Sequence, residues 1–152
     1  MGNTVGRFSE NSENSENRKV GEFRESEYLI SYFVIYDVLD LEVYKESLRL
    51  LKELYEFLRI FPKSEFDTVS QLKRAGKSIP ANIAEGFAKR KSEAEFKRFL
   101  KISIGSSDEV ISHFRAVAMT LPRYSLGAKN LAEKYKVLSK RINKLCSIWH
   151  SD

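Results

Sequence analysis

Leu41, Tyr44, Leu48, Leu51, Tyr55 and Leu58 recur at spacings of three and four residues, and the same rhythm returns in three later segments. Such spacing gathers side chains on one face of an α-helix, so each segment is amphipathic and needs a partner to cover that face. The second series is Val69, Leu72, Gly76, Ile79, Ile83 and Phe87. The third runs Phe96, Phe99, Ser103, Ser107, Val110, Phe114, Val117 and Leu121, and the fourth Leu131, Tyr135, Leu138, Ile142, Leu145 and Trp149. Asp40 is the expected N-cap of the first helix and Pro62 its stop, while Ser64 with Asp67 suggests a weak capping box for the second. Ser92 with Glu95 is a full S-x-x-E box opening the third helix, which Pro122 closes. Four helices of roughly 20 to 30 residues joined by short turns predict an all-α, up-down-up-down four-helix bundle over residues 37–152.

The chain of 152 residues suits one domain. Three prolines and seven glycines leave room for long uninterrupted elements. No apolar run approaches the roughly 20 residues that span a bilayer, and the N-terminus lacks a basic segment followed by a hydrophobic stretch. A cytoplasmic location and no membrane association are therefore expected. Cys146 is the single cysteine, which excludes a disulfide within one chain and fits a reducing compartment. Residues 9–17 read SENSENSEN, with nothing apolar to repay the entropy of ordering, and predict a flexible tail over residues 1 to 25. Tyr28 to Tyr36 is rich in β-branched and aromatic residues, the composition of a strand, and reads as an arm that straps the core or docks another protein.

A second apolar row on the first helix, Leu50, Leu54, Phe57 and Phe61, lies beside the first. Two apolar flanks predict subunit contacts in a homo-oligomer as well as core. In the second helix Pro80 costs a hydrogen bond to the carbonyl of Gly76, whose missing side chain gives the backbone room, so the helix is expected to kink and continue. Ser78, Asn82 and Glu85, with Gly86 at the edge, form a small polar row, and Arg98, Gly105 and Glu109 form its counterpart on the third helix. The two rows predict a polar seam in which Glu85 pairs with Arg98.

SIPANIAEGFAKR and, further on, EFKRFLKISIGSSDEV resemble the signature of the 23S rRNA intervening sequence proteins, a family of four-helix bundles. The resemblance covers Asp40 to His150. DLEVYK is similar to the family's DL-x-V-W opening, with Tyr44 in place of tryptophan, and GSSDEV departs from a commoner GSL-x-EL at Ser107 and Val110. The resemblance implies a ring, commonly a homopentamer, related to insertions within bacterial large-subunit rRNA genes. More distantly the chain resembles the accessory variability protein of diversity-generating retroelements, a basic pentameric bundle that binds reverse transcriptase and nucleic acid. Neither branch resembles an enzyme, and residues 1–36 inherit nothing from the family.

The residues themselves offer little for catalysis. Cys146 and His150 share a helical face but lack third and fourth metal ligands, and His113 has no recognisable nucleophile or orienting acid. No Glu-x-x-His pair suggests a di-iron site, and Gly86 and Gly105 fall inside helices rather than in a phosphate loop. No catalytic residue, metal or cofactor is predicted. The basic groups say more. Of 26 Lys and Arg, 22 follow residue 36, against 15 of 21 Asp and Glu, giving the body a charge of about +7. Lys89, Arg90 and Lys91 in the turn between helices two and three, Lys97 and Lys101 after it, and Lys136, Lys140, Arg141 and Lys144 on helix four are expected at one pole, where they would bind RNA or another nucleic acid through its phosphates. The alternative is a protein-interaction scaffold, such as an accessory subunit of a reverse transcriptase.

Overall fold

The structure, a computed structural model, describes residues 35–151. The expected tail and all but the last two residues of the strand-like run lie outside them; Ile35 and Tyr36 are in neither helix nor strand. Four α-helices follow: α1 (Glu42–Leu58), α2 (Phe66–Ala88), α3 (Glu93–Thr120) and α4 (Ser125–Ile148), with single 3-10 turns at Val38–Asp40, Lys63–Glu65 and Pro122–Tyr124. No strand occurs among the described residues. The all-α bundle read from the apolar spacing is the fold.

The helix starts follow local chemistry, with one shift. Ser92 caps α3, its hydroxyl accepting from the Glu95 amide at 3.4 Å. The Glu95 carboxylate does not reach back to complete the box; it accepts from Arg98. Asp40 is not the cap of α1, a position taken by Leu41 without a side-chain bond. The Asp40 carboxylate instead accepts from the amides of Tyr36 and Asp37, both at 2.9 Å, and so closes the preceding turn. α2 continues through Pro80 as one helix, and Pro80 is buried.

Consecutive helices run antiparallel. α1 and α3 each lie between α2 and α4, and α3 packs against both more intimately than α1 does. The cause is side-chain size. A Cβ at Gly86 would stand 2.6 Å from the Phe99 Cβ, so α2 and α3 meet at a separation only glycine permits. Ser103 and Ser107, fully buried on α3, keep its inner faces narrow. Their hydroxyls donate to the backbone carbonyls of Ile79 on α2 at 3.2 Å and Tyr135 on α4 at 3.1 Å, so close packing is achieved without orphaned polar groups at these two positions. α1 instead carries leucines and aromatics, which hold its backbone further from its neighbours.

Between the helices Leu54, Leu72, Ile79, Ile83, Phe96, Phe114, Tyr135 and Ile142 are fully buried. Each such apolar side chain contributes roughly 1.5–3 kcal/mol relative to exposure. In the middle of α1 the second row lies deeper than the first, while Leu41 and Leu58 bury the two ends of the first row. Leu50 and Leu54 lie in the core, while Leu48 of the first row is 38% exposed and Leu51 and Tyr55 are half-buried. Phe57 packs edge-on against Phe61 and Phe114 at 5.3 and 5.9 Å, and its ring lies where Gly127 of α4 has no Cβ. The second row is thus used inside the chain.

Two glycine substitutions separate close approach from helix propensity. Gly86→Ala drives a Cβ into Phe99 and is expected to destabilise the bundle by about 1–3 kcal/mol in urea unfolding. Gly105→Ala, exposed and with nothing within 4 Å of its new methyl, is expected to stabilise by about 0.5–1 kcal/mol.

Candidate nucleic-acid interface

The antiparallel register puts the α2–α3 turn, the start of α1 and the end of α4 at one pole. Phe96 meets Trp149 edge-to-face at 4.6 Å, and the Cys146 thiol faces the Lys97 carbonyl at 3.9 Å. One stretch inward, Ser139 donates to Ser107 at 2.8 Å, so Lys101 on α3 and Lys140 and Lys144 on α4 occupy the same portion of the bundle. All three are exposed. Lys136 lies nearer the middle, beside the Ser107–Tyr135 contact, and pairs with Glu133 at 3.8 Å.

Several of the pole's cations are already engaged. Lys89 pairs with Glu85 at 2.9 Å and lies over the Phe99 ring at 4.4 Å. Lys97 pairs with Glu93 at 2.5 Å, and Arg141 approaches Glu46 at 3.5 Å. Arg90 folds back, donating to the Phe87 carbonyl and stacking on the Phe87 ring. Lys91, Lys101, Lys140 and Lys144 have no carboxylate within 4 Å among the described residues. Exposed ion pairs of this kind contribute little to stability, and their cations remain open to exchange for a phosphate. The hydrogen bond from Lys97 holds the Glu93 carboxyl below its ordinary range, and the Arg98 bond does the same for Glu95. Folded pKa values lowered in this way mean that any stability these pairs add is present at neutral pH and is lost on acidification through and below the ordinary carboxylate range.

The polar seam forms in part, one residue away from its expected partner. Ser78 shares a 2.8 Å hydrogen bond with Ser106 of α3, and Asn82 donates to the Ser78 carbonyl and hydroxyl at 2.8 and 2.9 Å. Either hydroxyl can be the donor in the Ser78–Ser106 bond, since the Ser78 oxygen keeps a second lone pair after accepting from Asn82. Gly105 faces open space instead. Glu109 approaches Arg74 and His113, each at 3.7 Å. The expected Glu85–Arg98 pair is not made. Glu85 meets Lys89 four residues on, and Arg98 meets Glu95 three residues back at 3.2 Å, because neighbours on the same helix face pair with less ordering than partners across a groove. Gly86 is buried against Phe96 and Phe99 and serves packing.

Sequence spacing did not single out Lys73 and Lys77 on α2, whose ammonium groups lie 4.9 and 5.9 Å from the centre of the Tyr55 ring on α1. The signal was a lysine pair at i and i+4, but its aromatic partner sits on another helix. Among the described residues no group of three His, Cys, Asp or Glu side chains converges on a metal-sized site, and no helix is long and apolar enough to cross a membrane. His150 lies 3.5 Å from Glu93, which leaves it in an ion-pair geometry with a single carboxylate.

A small four-helix bundle with a basic surface and a serine-lined, closely packed third helix is the class these observations define. The sequence model of the 23S rRNA-intervening sequence protein family matches residues 39–147, and the chain belongs to that family. No curated protein was found to match it.

The seam is separable from the surface charges. Ser107→Ala, which removes the donor to the Tyr135 carbonyl and leaves the Ser139 hydroxyl only Asp108 at 3.4 Å, is expected to cost about 0.5–1.5 kcal/mol in urea unfolding. Glu85→Gln and Arg98→Gln are each expected to fall within about 0.5 kcal/mol of the parent.

Proposed function

We propose that the protein is a non-enzymatic, homo-oligomeric bundle, pentameric by the family resemblance, that binds RNA through phosphate contacts on its basic surface. The observation that carries this reading is the group of exposed, unneutralised lysines at one pole, Lys91, Lys101, Lys140 and Lys144, in a member of a family named for an rRNA insertion. Charges of this kind attract a polyanion by releasing its counterions and read backbone rather than base edges. Lys89, Arg90, Lys97 and Arg141 reinforce the field, and Lys136 extends it along α4. In a ring the pole is repeated in each copy, which multiplies weak contacts into avidity.

The second reading, a scaffold that docks a protein such as a nucleic-acid enzyme, draws on exposed apolar groups at the opposite pole. Ile60 is 62%, Met119 81% and Leu126 85% exposed. A location in the cytoplasm accords with both readings.

Replacing Lys91, Lys101, Lys140 and Lys144 together by glutamine is expected to weaken binding to unrelated RNA sequences alike and to flatten the dependence of log affinity on log salt by about 3. Fluorescence anisotropy on the full chain reads the affinity, and light scattering with and without RNA reads the assembly. Unchanged affinity in the quadruple variant removes the pole from the interface, and a monomer that ignores RNA at low salt defeats the reading.

A further inference from the structure

The outer face of α2 carries a feature that the pole does not explain. A shallow open groove of about 610 Å³ runs along it from Phe66, past Lys73, Arg74 and Lys77, to Ala81, with Ser70 and Ser78 in its lining. A smaller polar recess of about 190 Å³ adjoins it and shares Ser70 and Arg74, with Asp67 at its edge. Every lining residue of the larger groove comes from α2 and recurs at helical spacing, so this is a stripe the bundle leaves uncovered.

The lysines of the stripe differ from Lys91, Lys101, Lys140 and Lys144 of the pole in being held over an aromatic ring. Lys73 and Lys77 have no carboxylate within 4 Å among the described residues, and both are held over the Tyr55 ring. An aromatic face positions an ammonium without neutralising it, unlike the carboxylates that engage Lys89 and Lys97. Arg74 donates to the Gln71 side-chain oxygen at 3.3 Å and has one loose carboxylate partner, Glu109 at 3.7 Å, in a pair exposed on both sides. Lys73 and Lys77 stand one helical turn apart, about 6 Å along the axis. At the end of the stripe Phe66 leaves 70% of its surface in water, although it opens a helix whose other large apolar residues are covered more fully.

We infer that this stripe of α2 binds single-stranded RNA, with Lys73, Arg74 and Lys77 on consecutive phosphates, Ser70 as a hydroxyl partner, and Phe66 as a platform for one base. A row of fixed cations ending on an exposed ring is the combination that tracks an unpaired strand, since phosphates and bases are then satisfied together. A duplex keeps its bases stacked on one another and would leave Phe66 unused. The charge also decides the occupant: three cations stand against Asp67 and Glu109 at the margins, which favours a polyanion. The inference rests on the bundle binding RNA at all, and it adds a second contact surface away from the pole.

The test uses the full chain and two probes, an unstructured 20-nucleotide RNA and a perfect RNA duplex, with anisotropy read across a salt series. Lys73→Gln, Arg74→Gln and Lys77→Gln combined are expected to flatten the single-strand salt slope by about 2. Phe66→Ala is expected to weaken single-strand binding by roughly 5- to 150-fold with little effect on the duplex, and Phe66→Trp to restore it. All these positions are on the surface, and an unchanged melting temperature confirms that the variants fold. If the α2 variants bind single strands like the parent while the pole variant loses binding, the inference falls and the pole reading stands. If the parent binds no RNA, both fall. Capture of poly-glutamate in preference to RNA by the parent, lost in the triple variant, overturns the inference in favour of an acidic protein partner.

Discussion

The bundle is organised by how closely α3 can approach its two neighbours. At Gly86 the backbone of α2 lies against the Cβ of Phe99, and at Ser103 and Ser107 small buried hydroxyls bond directly to carbonyls on α2 and α4. These contacts fix the register of three helices at once. The hydroxyls do so without large side chains, and each reaches a carbonyl on the helix it packs against. The register then brings Trp149 onto Phe96 and carries the lysines of α4 alongside those at the start of α3. The surface charge pattern is therefore a consequence of the packing.

α1 stands in a different relation to the rest. Its leucines and aromatics fill the remaining space and hold it at a greater distance, and its Tyr55 ring reaches over to the lysines of α2. Gly76 on α2 receives the ends of Leu51 and Leu54, with the Tyr135 hydroxyl nearby. That hydroxyl is buried with no partner, and burial pushes its ionisation above the ordinary tyrosine range. The Trp149 indole N–H, packed against Phe96 of α3, is likewise buried with no partner, so one unsatisfied polar group lies where α1, α2 and α4 converge and another at the pole. Gly86 and Gly76 serve two different unions, one of backbone with side chain and the other of backbone with flexible leucine tips.

Much of this was legible from residue spacing because helix faces are a local property. The number of helices, the third helix start at Ser92 and passage through Pro80 all follow from residues a few positions apart. Relations between helices were less legible. Leu50 and Leu54 rather than Leu48 and Leu51 are the deepest residues of α1, and two apolar rows side by side give no local reason to prefer either. The Glu85–Arg98 pair was expected from charge complementarity, yet each group had an opposite charge one turn away on its own helix. Ser78 chose Ser106 over the Gly105 row for the same kind of reason: a shift of one residue rotates a helix face by about 100°. The lysines over Tyr55 were invisible because their environment is made by another helix.

The central claim is that unneutralised cations on this bundle hold RNA by its phosphates. Titrating the intact protein with an unstructured RNA at several salt concentrations tests it most directly. The account predicts measurable binding at low salt whose logarithm falls linearly and steeply with the logarithm of salt, with little dependence on RNA sequence. Binding that is absent, or whose strength is indifferent to salt, would contradict it.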